Sequence, residues 1–177
     1  MTQPAPSPRF RDIRLCVPVR ASPERVYGAL TSARELCAWW LDRAETHARN
    51  LGKLRMVWPS SGNGSCLREC RGVFVDLEPA RKVAWLWGEG SRRPGVPPLN
   101  TFFIESRRGG CDVTLVHAGF KDTPYGAKRV AAWQERWEDC LSKLSLYLES
   151  GRICKHDRIS LTELALLRRK SSSRRSR

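Results

Sequence analysis

No apolar run in this sequence approaches the ~20 residues of a membrane span, so no transmembrane helix is expected. The opening stretch, MTQPAPSPRF, is proline-rich and has no apolar signal core, which makes a cytoplasmic location the expectation. Metal-binding patterns are missing too. Cys16, Cys37, Cys66, Cys70, Cys111, Cys140 and Cys154 are scattered, with no CxxC pair and no histidine at a zinc spacing. Reduced thiols and no metal site are therefore expected. There is no G-x-S-x-G, H-E-x-x-H, Walker loop or dinucleotide fingerprint. Acids are scarce beside bases, 18 against 32, for a net charge of +14. The final RRKSSSRRSR holds six bases and no acid, and removing those six leaves +8. Such an excess suits nucleic acid, anionic lipid or acidic partners, and equally suits simple solubility.

What is present is a globular mixture. Hydrophobic residues make up 41% and charged residues 28% of 177 positions, enough for one domain with a sizeable core. Seven tryptophans lie in the middle of the chain. In residues 9–20, Ile13, Leu15, Val17 and Val19 alternate as a strand with one apolar face. Ser22 then caps a helix with Pro23 at its first position and Val26, Ala29 and Leu30 on one face. A second short helix over 33–39 ends at Trp39 and Trp40. From 44 to 120 the period is two. Leu54, Met56 and Trp58 alternate, SSGNGS turns, and Val73, Val75 and Leu77 alternate. Val83, Trp85 and Trp87 share a face, EGSRRPGVPP loops, and LNTFFIES forms a strand. After the RRGG turn, Cys111, Val113, Leu115 and His117 share a face. This is an antiparallel meander. A helix over 124–150 follows, opened by Pro124 and closed by Gly151. Val130, Trp133, Trp137, Cys140 or Leu141, Leu144 and Leu148 recur on it at three and four residues. A last helix over 158–170 carries a Ser160–Glu163 capping box and an Ile159–Leu164 staple.

ASPERVYGALTSARELCAWWL, GVFVDLEPARKVAWLWG, VTLVHAGF and WQERWEDCLSKLSLYLESG, in that order, resemble the START-like (SRPBCC) superfamily. More narrowly they resemble bacterial proteins similar to the C-terminal domain of the activator of the ninety-kilodalton heat-shock chaperone's ATPase. The resemblance spans about residues 10 to 151. It implies an α+β helix-grip fold, in which a curved antiparallel sheet wraps a long C-terminal helix around an apolar cavity. The family often has a Gly-Gly pair before the second strand; NLGKLRM retains only Gly52. The expected organisation is a flexible 1–8, a helix-grip domain over 9–151, an extra segment with a short helix over 152–170, and a disordered basic tail over 171–177.

Under that resemblance the cavity residues are Trp40, Met56, Trp58, Phe74, Trp85, Trp87, Phe103, His117, Trp133 and Trp137. Aromatic stripes at this spacing build cores as readily as they line cavities. One of Trp39 and Trp40 is expected to pack inward while the other rims the pocket. An empty pocket of ~300 Å³ would cost about 7 kcal/mol at ~24 cal/mol per Å³, rivalling total stability. The space is therefore filled by rings or occupied by ligand or solvent. His117 reads either as a satisfied buried histidine or as a donor or base facing a ligand. The leading functional expectation is a non-enzymatic domain that binds a small hydrophobic or aromatic ligand without a cofactor. The alternatives are a module regulating a chaperone ATPase in a stress response, a nucleic-acid or ribosome-associated protein acting through its basic surface, and a polyketide cyclase-like enzyme. Weak, non-specific polyanion binding through the tail is a further expectation.

Overall fold

The alternation in FRDIRLCVPV produces β1 (Phe10–Val19), which buries Ile13, Val17 and Val19, half-buries Leu15 and exposes Arg14, Cys16 and Pro18. A computed structural model describes residues 9–59, 69–88 and 95–175, with side chains through residue 170. After β1 come α1 (Pro23–Thr31) and α2 (Ala33–Trp39), then β2 (Arg43–Thr46), β3 (Lys53–Val57), β4 (Glu69–Glu78), β5 (Lys82–Trp87), β6 (Leu99–Arg107) and β7 (Gly110–Lys121). The chain ends with α3 (Pro124–Ser150) and α4 (Leu161–Arg175). Among the described residues, the strands form one antiparallel sheet in the order β1-β7-β6-β5-β4-β3-β2. The fold is α+β and helix-grip, as the resemblance implies. The expected turn at 60–65, Cys66 and most of the 89–98 loop lie outside the described residues, as do 1–8.

Local chemistry explains each helix. Ser22 caps α1 by accepting from the Arg25 N–H, and Ser32 both ends α1 and caps α2. Thr123 caps α3, Pro124 occupies its first turn, and Gly151 ends it at φ 70°, a conformation glycine adopts without strain. The 27 residues of α3 span about 40 Å. This lets one helix place Trp133, Trp137, Cys140, Leu141 and Leu144 along the inner face of the sheet.

Three expectations need correction. On β4 the alternation of Val73, Val75 and Leu77 does not persist, because a bulge between Phe74 and Asp76 adds one residue. Phe74 is fully buried, and the bulge turns Leu77 back against the core. On β6, Phe103 points away from the interior and is 36% exposed, while Phe102 is fully buried. The last helix, expected over 158–170, spans Leu161–Arg175. The edge strand β2 carries no apolar pattern and was not anticipated as a separate element.

The segment after Gly151 folds back onto α3. Ile159 and Leu164 are buried with Leu146 and Cys154 in a second small cluster. The capping box forms, with the Glu163 carboxylate accepting from the Ser160 N–H at 2.7 Å and Ser160 Oγ accepting from the Glu163 N–H at 3.2 Å. Arg168 donates to Glu149 at 2.6 Å, to the Pro18 carbonyl at 2.6 Å and to Ser145 Oγ at 3.2 Å. Beneath it, buried Lys143 donates to Asp139 at 2.8 Å and to the Lys155 carbonyl at 3.2 Å. This cover is why Ser142, Lys143 and Ser145 are buried on what would otherwise be the outer side of α3.

Candidate functional site

The sheet's inner face and α3 bring aromatic rings together. Trp39 and Trp40 stack at 5.3 Å with an interplanar angle of 9° where α2 ends. Trp39 belongs to the core: it is fully buried and donates its indole N–H to the Ala29 carbonyl at 3.1 Å. Trp40 is nearly buried and meets the rings of Trp58 and Trp137. From it a closed circuit of six side chains runs through Trp58, Trp87, Trp85, Phe102 and Trp137 and back to Trp40. Neighbouring ring centroids in this circuit are 5.1–6.4 Å apart. These separations suit tilted and edge-to-face contacts, each worth about 0.5–1.5 kcal/mol beyond the area buried. The circuit draws on α2, the end of β3, β5, β6 and α3, so it depends on the whole fold.

Most expected cavity residues meet here. Met56, Phe74, Trp85 and His117 are fully buried, and Trp40, Trp87, Trp133 and Trp137 nearly so. Trp58 is half-buried and borders a surface groove of about 370 Å³ with Asp42, Arg43, Arg55, Val57 and Glu69. Arg55 spans that groove, donating to Glu69 at 2.8 and 3.2 Å and to Glu45 at 2.7 Å. Hydrogen bonds from Arg55 and Arg71 hold the Glu69 carboxyl down to about 2. A second groove, of about 500 Å³, lies away from the circuit between α2 and residues 153–157. Phe103 belongs to none of this. The residues missed in its place are Phe102 and Asn100. Asn100, Phe102 and Ile104 share the inner face, and the buried Ile104 followed by exposed Glu105 was the signal that could have set the phase.

His117 is held on both sides. Trp137 Nε1 donates to His117 Nδ1 at 3.0 Å, so the ring's own proton sits on Nε2 and is donated to the Pro97 carbonyl at 2.9 Å. Phe120, Trp133 and Trp137 pack around the imidazole at 4.6–5.9 Å. Burial pushes its pKa down to about 4. With both nitrogens engaged, His117 works as a neutral strut between β7 and α3. The buried thiols are quiet for a related reason: burial pushes Cys70 up to about 12 and Cys111 to about 11.

Two indoles of the circuit are differently placed. Trp85 Nε1 and Trp87 Nε1 are buried without a hydrogen-bond partner among the described residues, as is Asn100 Oδ1. Such atoms ordinarily cost about 1–3 kcal/mol each. Trp85 and Asn100 are directly paired across β5 and β6.

An antiparallel sheet gripping a long C-terminal helix, with two short helices after the first strand and an aromatic interior, defines the START-like class. The model of one family in that class, described as Activator of Hsp90 ATPase homolog 1-like protein, matches residues 20–149, and the chain belongs to that family. Solved structures agree on the fold. The Aha1 dimer from Colwellia psychrerythraea is 22% identical with a TM-score of 0.64, covering 80% of this chain and 98% of that one. Protein SSP2350 from Staphylococcus saprophyticus is 19% identical at a TM-score of 0.64, covering 81% and 96%. DynU16, a protein of the dynemicin biosynthetic locus, is 21% identical at 0.63, covering 84% of this chain and 49% of its own. A comparison with curated proteins finds no match. No helix among the described residues is long and apolar enough to cross a membrane.

Proposed function

We propose that this domain binds a small, flat, largely apolar molecule within the aromatic circuit, as a carrier or sensor and not as an enzyme. The observation supporting this reading is the circuit itself, six rings from five parts of the fold facing one another. Flat guests are held by such walls through the same stacked and edge-to-face contacts that join the rings to one another. The groove beside Trp58, the half-buried member, is the proposed approach. His117 serves as a fixed support in this reading, since both its nitrogens are already bonded.

The test is a titration of purified protein with two-ring and three-ring aromatic probes, followed by tryptophan fluorescence and by melting temperature. Binding at 100 times Kd should add about 2.7 kcal/mol of stability, and Trp87→Leu should weaken the shift more than a substitution at exposed Leu51, Leu51→Ala. Absence of both quenching and thermal shift across the set would refute the reading. The family description supports a second reading, regulation of a chaperone ATPase, for which stimulation of that ATPase is the direct measurement.

A further inference from the structure

We infer that the inner wall formed by Trp85, Trp87 and Asn100 is a hydrogen-bonding subsite for an aromatic hydroxyl, so that the ligand is a phenol-type molecule and not a bare hydrocarbon. The inference rests on the ligand-binding reading above and adds the chemistry of the guest. Its basis is a set of three buried polar atoms that the fold leaves unserved among the described residues: two indole N–H donors and one amide oxygen. Trp85 and Asn100 are fully buried and Trp87 is 3% exposed. Trp85 lies opposite Asn100 in the β5–β6 ladder, and the Trp85 and Trp87 rings lie 5.7 Å apart, so the three side chains share one patch of the inner face.

The orientation of Asn100 follows from its neighbour. Its Nδ2 donates to the Pro98 carbonyl at 3.3 Å. Flipping the amide would set two oxygens against each other, so Oδ1 is the atom left over. The Trp85 indole, with a ring N–H and no acceptor, offers only a donor, and so does Trp87. Two donors and one acceptor together call for a group that both accepts and donates. A carbonyl or ether oxygen would satisfy the indoles and leave Asn100 unserved. A hydroxyl on an aromatic ring accepts from an indole N–H and donates its proton to Asn100 Oδ1, while its ring meets the surrounding indoles. Sites that hydrogen-bond a substrate hydroxyl discriminate strongly against the analogue lacking it, because their own buried groups are then left unpaired.

The experiment compares three probes built on one ring system on the full chain: naphthalene, 2-methoxynaphthalene and 2-naphthol. They offer neither function, an acceptor only, and both. The expected order of affinity is naphthol, then methoxynaphthalene, then naphthalene, with about tenfold per hydrogen bond gained. In Asn100→Leu the advantage of naphthol over methoxynaphthalene should vanish. In Trp85→Phe with Trp87→Phe, which keep rings in place, the advantage of methoxynaphthalene over naphthalene should vanish. ¹⁵N spectra of the wild-type indoles supply a readout independent of whether any variant folds: the Trp85 or Trp87 N–H resonance should move downfield with naphthol and not with naphthalene. Equal affinity for all three probes, with unmoved indole resonances, would overturn the hydroxyl subsite while leaving the aromatic-ligand reading intact. Failure of all three to bind would overturn both.

Discussion

Between pH 7.5 and 5, acid should weaken this protein measurably through His117. In the folded chain its ring protonates only near pH 4, because burial opposes the charge. The unfolded chain protonates it near the ordinary 6.5. Between those values the unfolded state binds a proton that the folded state does not, so folding loses free energy as the pH falls. The contribution is fully present above pH 6.5. About 2 kcal/mol is lost between pH 7.5 and pH 5, and about 3 kcal/mol by pH 4. In urea, with a slope of ~2 kcal/mol per M, the first of these is a midpoint shift of about 1 M. The control is His117→Gln, whose amide can still accept from Trp137 Nε1 and donate to the Pro97 carbonyl but carries no titrating ring. Urea unfolding of both proteins at half-unit steps from pH 7.5 to 5 separates His117 from the carboxylates, whose effects the two proteins share. The wild type should lose about 2 kcal/mol more than the variant over that range. Parallel pH dependences would refute the assignment of His117 as a neutral buried strut.

Trp137→Ala should cost about 3–5 kcal/mol in urea unfolding, whereas Trp137→Phe should cost about 1–3 kcal/mol by stranding His117 Nδ1. Leu51 sits at φ 61° and is 79% exposed, so Leu51→Gly should stabilise the fold by about 1 kcal/mol. The neighbouring Gly52→Ala should destabilise it by about 1–3 kcal/mol or more, because a Cβ there would meet the His47 carbonyl oxygen at 1.8 Å. Arg168→Ala should cost about 1–3 kcal/mol and speed amide exchange in α4, since it removes the hydrogen bonds to Glu149, Ser145 and the Pro18 carbonyl at a partly buried pair.

The helices and the phase of most strands were legible because their signals are local. Ser22 with Pro23 opens α1, and Pro124 and Gly151 bracket α3, by local backbone chemistry that the sequence displays. β5 was equally plain, since Val83, Trp85 and Trp87 set the inward phase even though the small Ala84 between them is also buried. The β6 phase was misleading because Phe102 and Phe103 are adjacent and the inward position two before Phe102 is Asn100, a polar residue that hides the apolar face. That same Asn100 is the polar centre of the proposed subsite, so the residue that obscured the pattern is the one with chemistry to offer. The β4 bulge left no composition signal: an extra residue among Val73, Phe74 and Val75 reads as a hydrophobic strand in either phase. The ring circuit escaped prediction for a different reason. Which tryptophans meet depends on the twist and register of distant strands, and spacing along one segment carries no record of that.

The clasp formed by α4 separates two boundaries that are usually treated as one. The family match stops at residue 149, on the very carboxylate that Arg168 holds. A fragment ending there would uncover Leu146 and remove both the Lys155 carbonyl from Lys143 and the Arg168 guanidinium from Glu149. The contacts that bury this end of α3 thus run beyond the family match, through the capping box to Arg168 on α4.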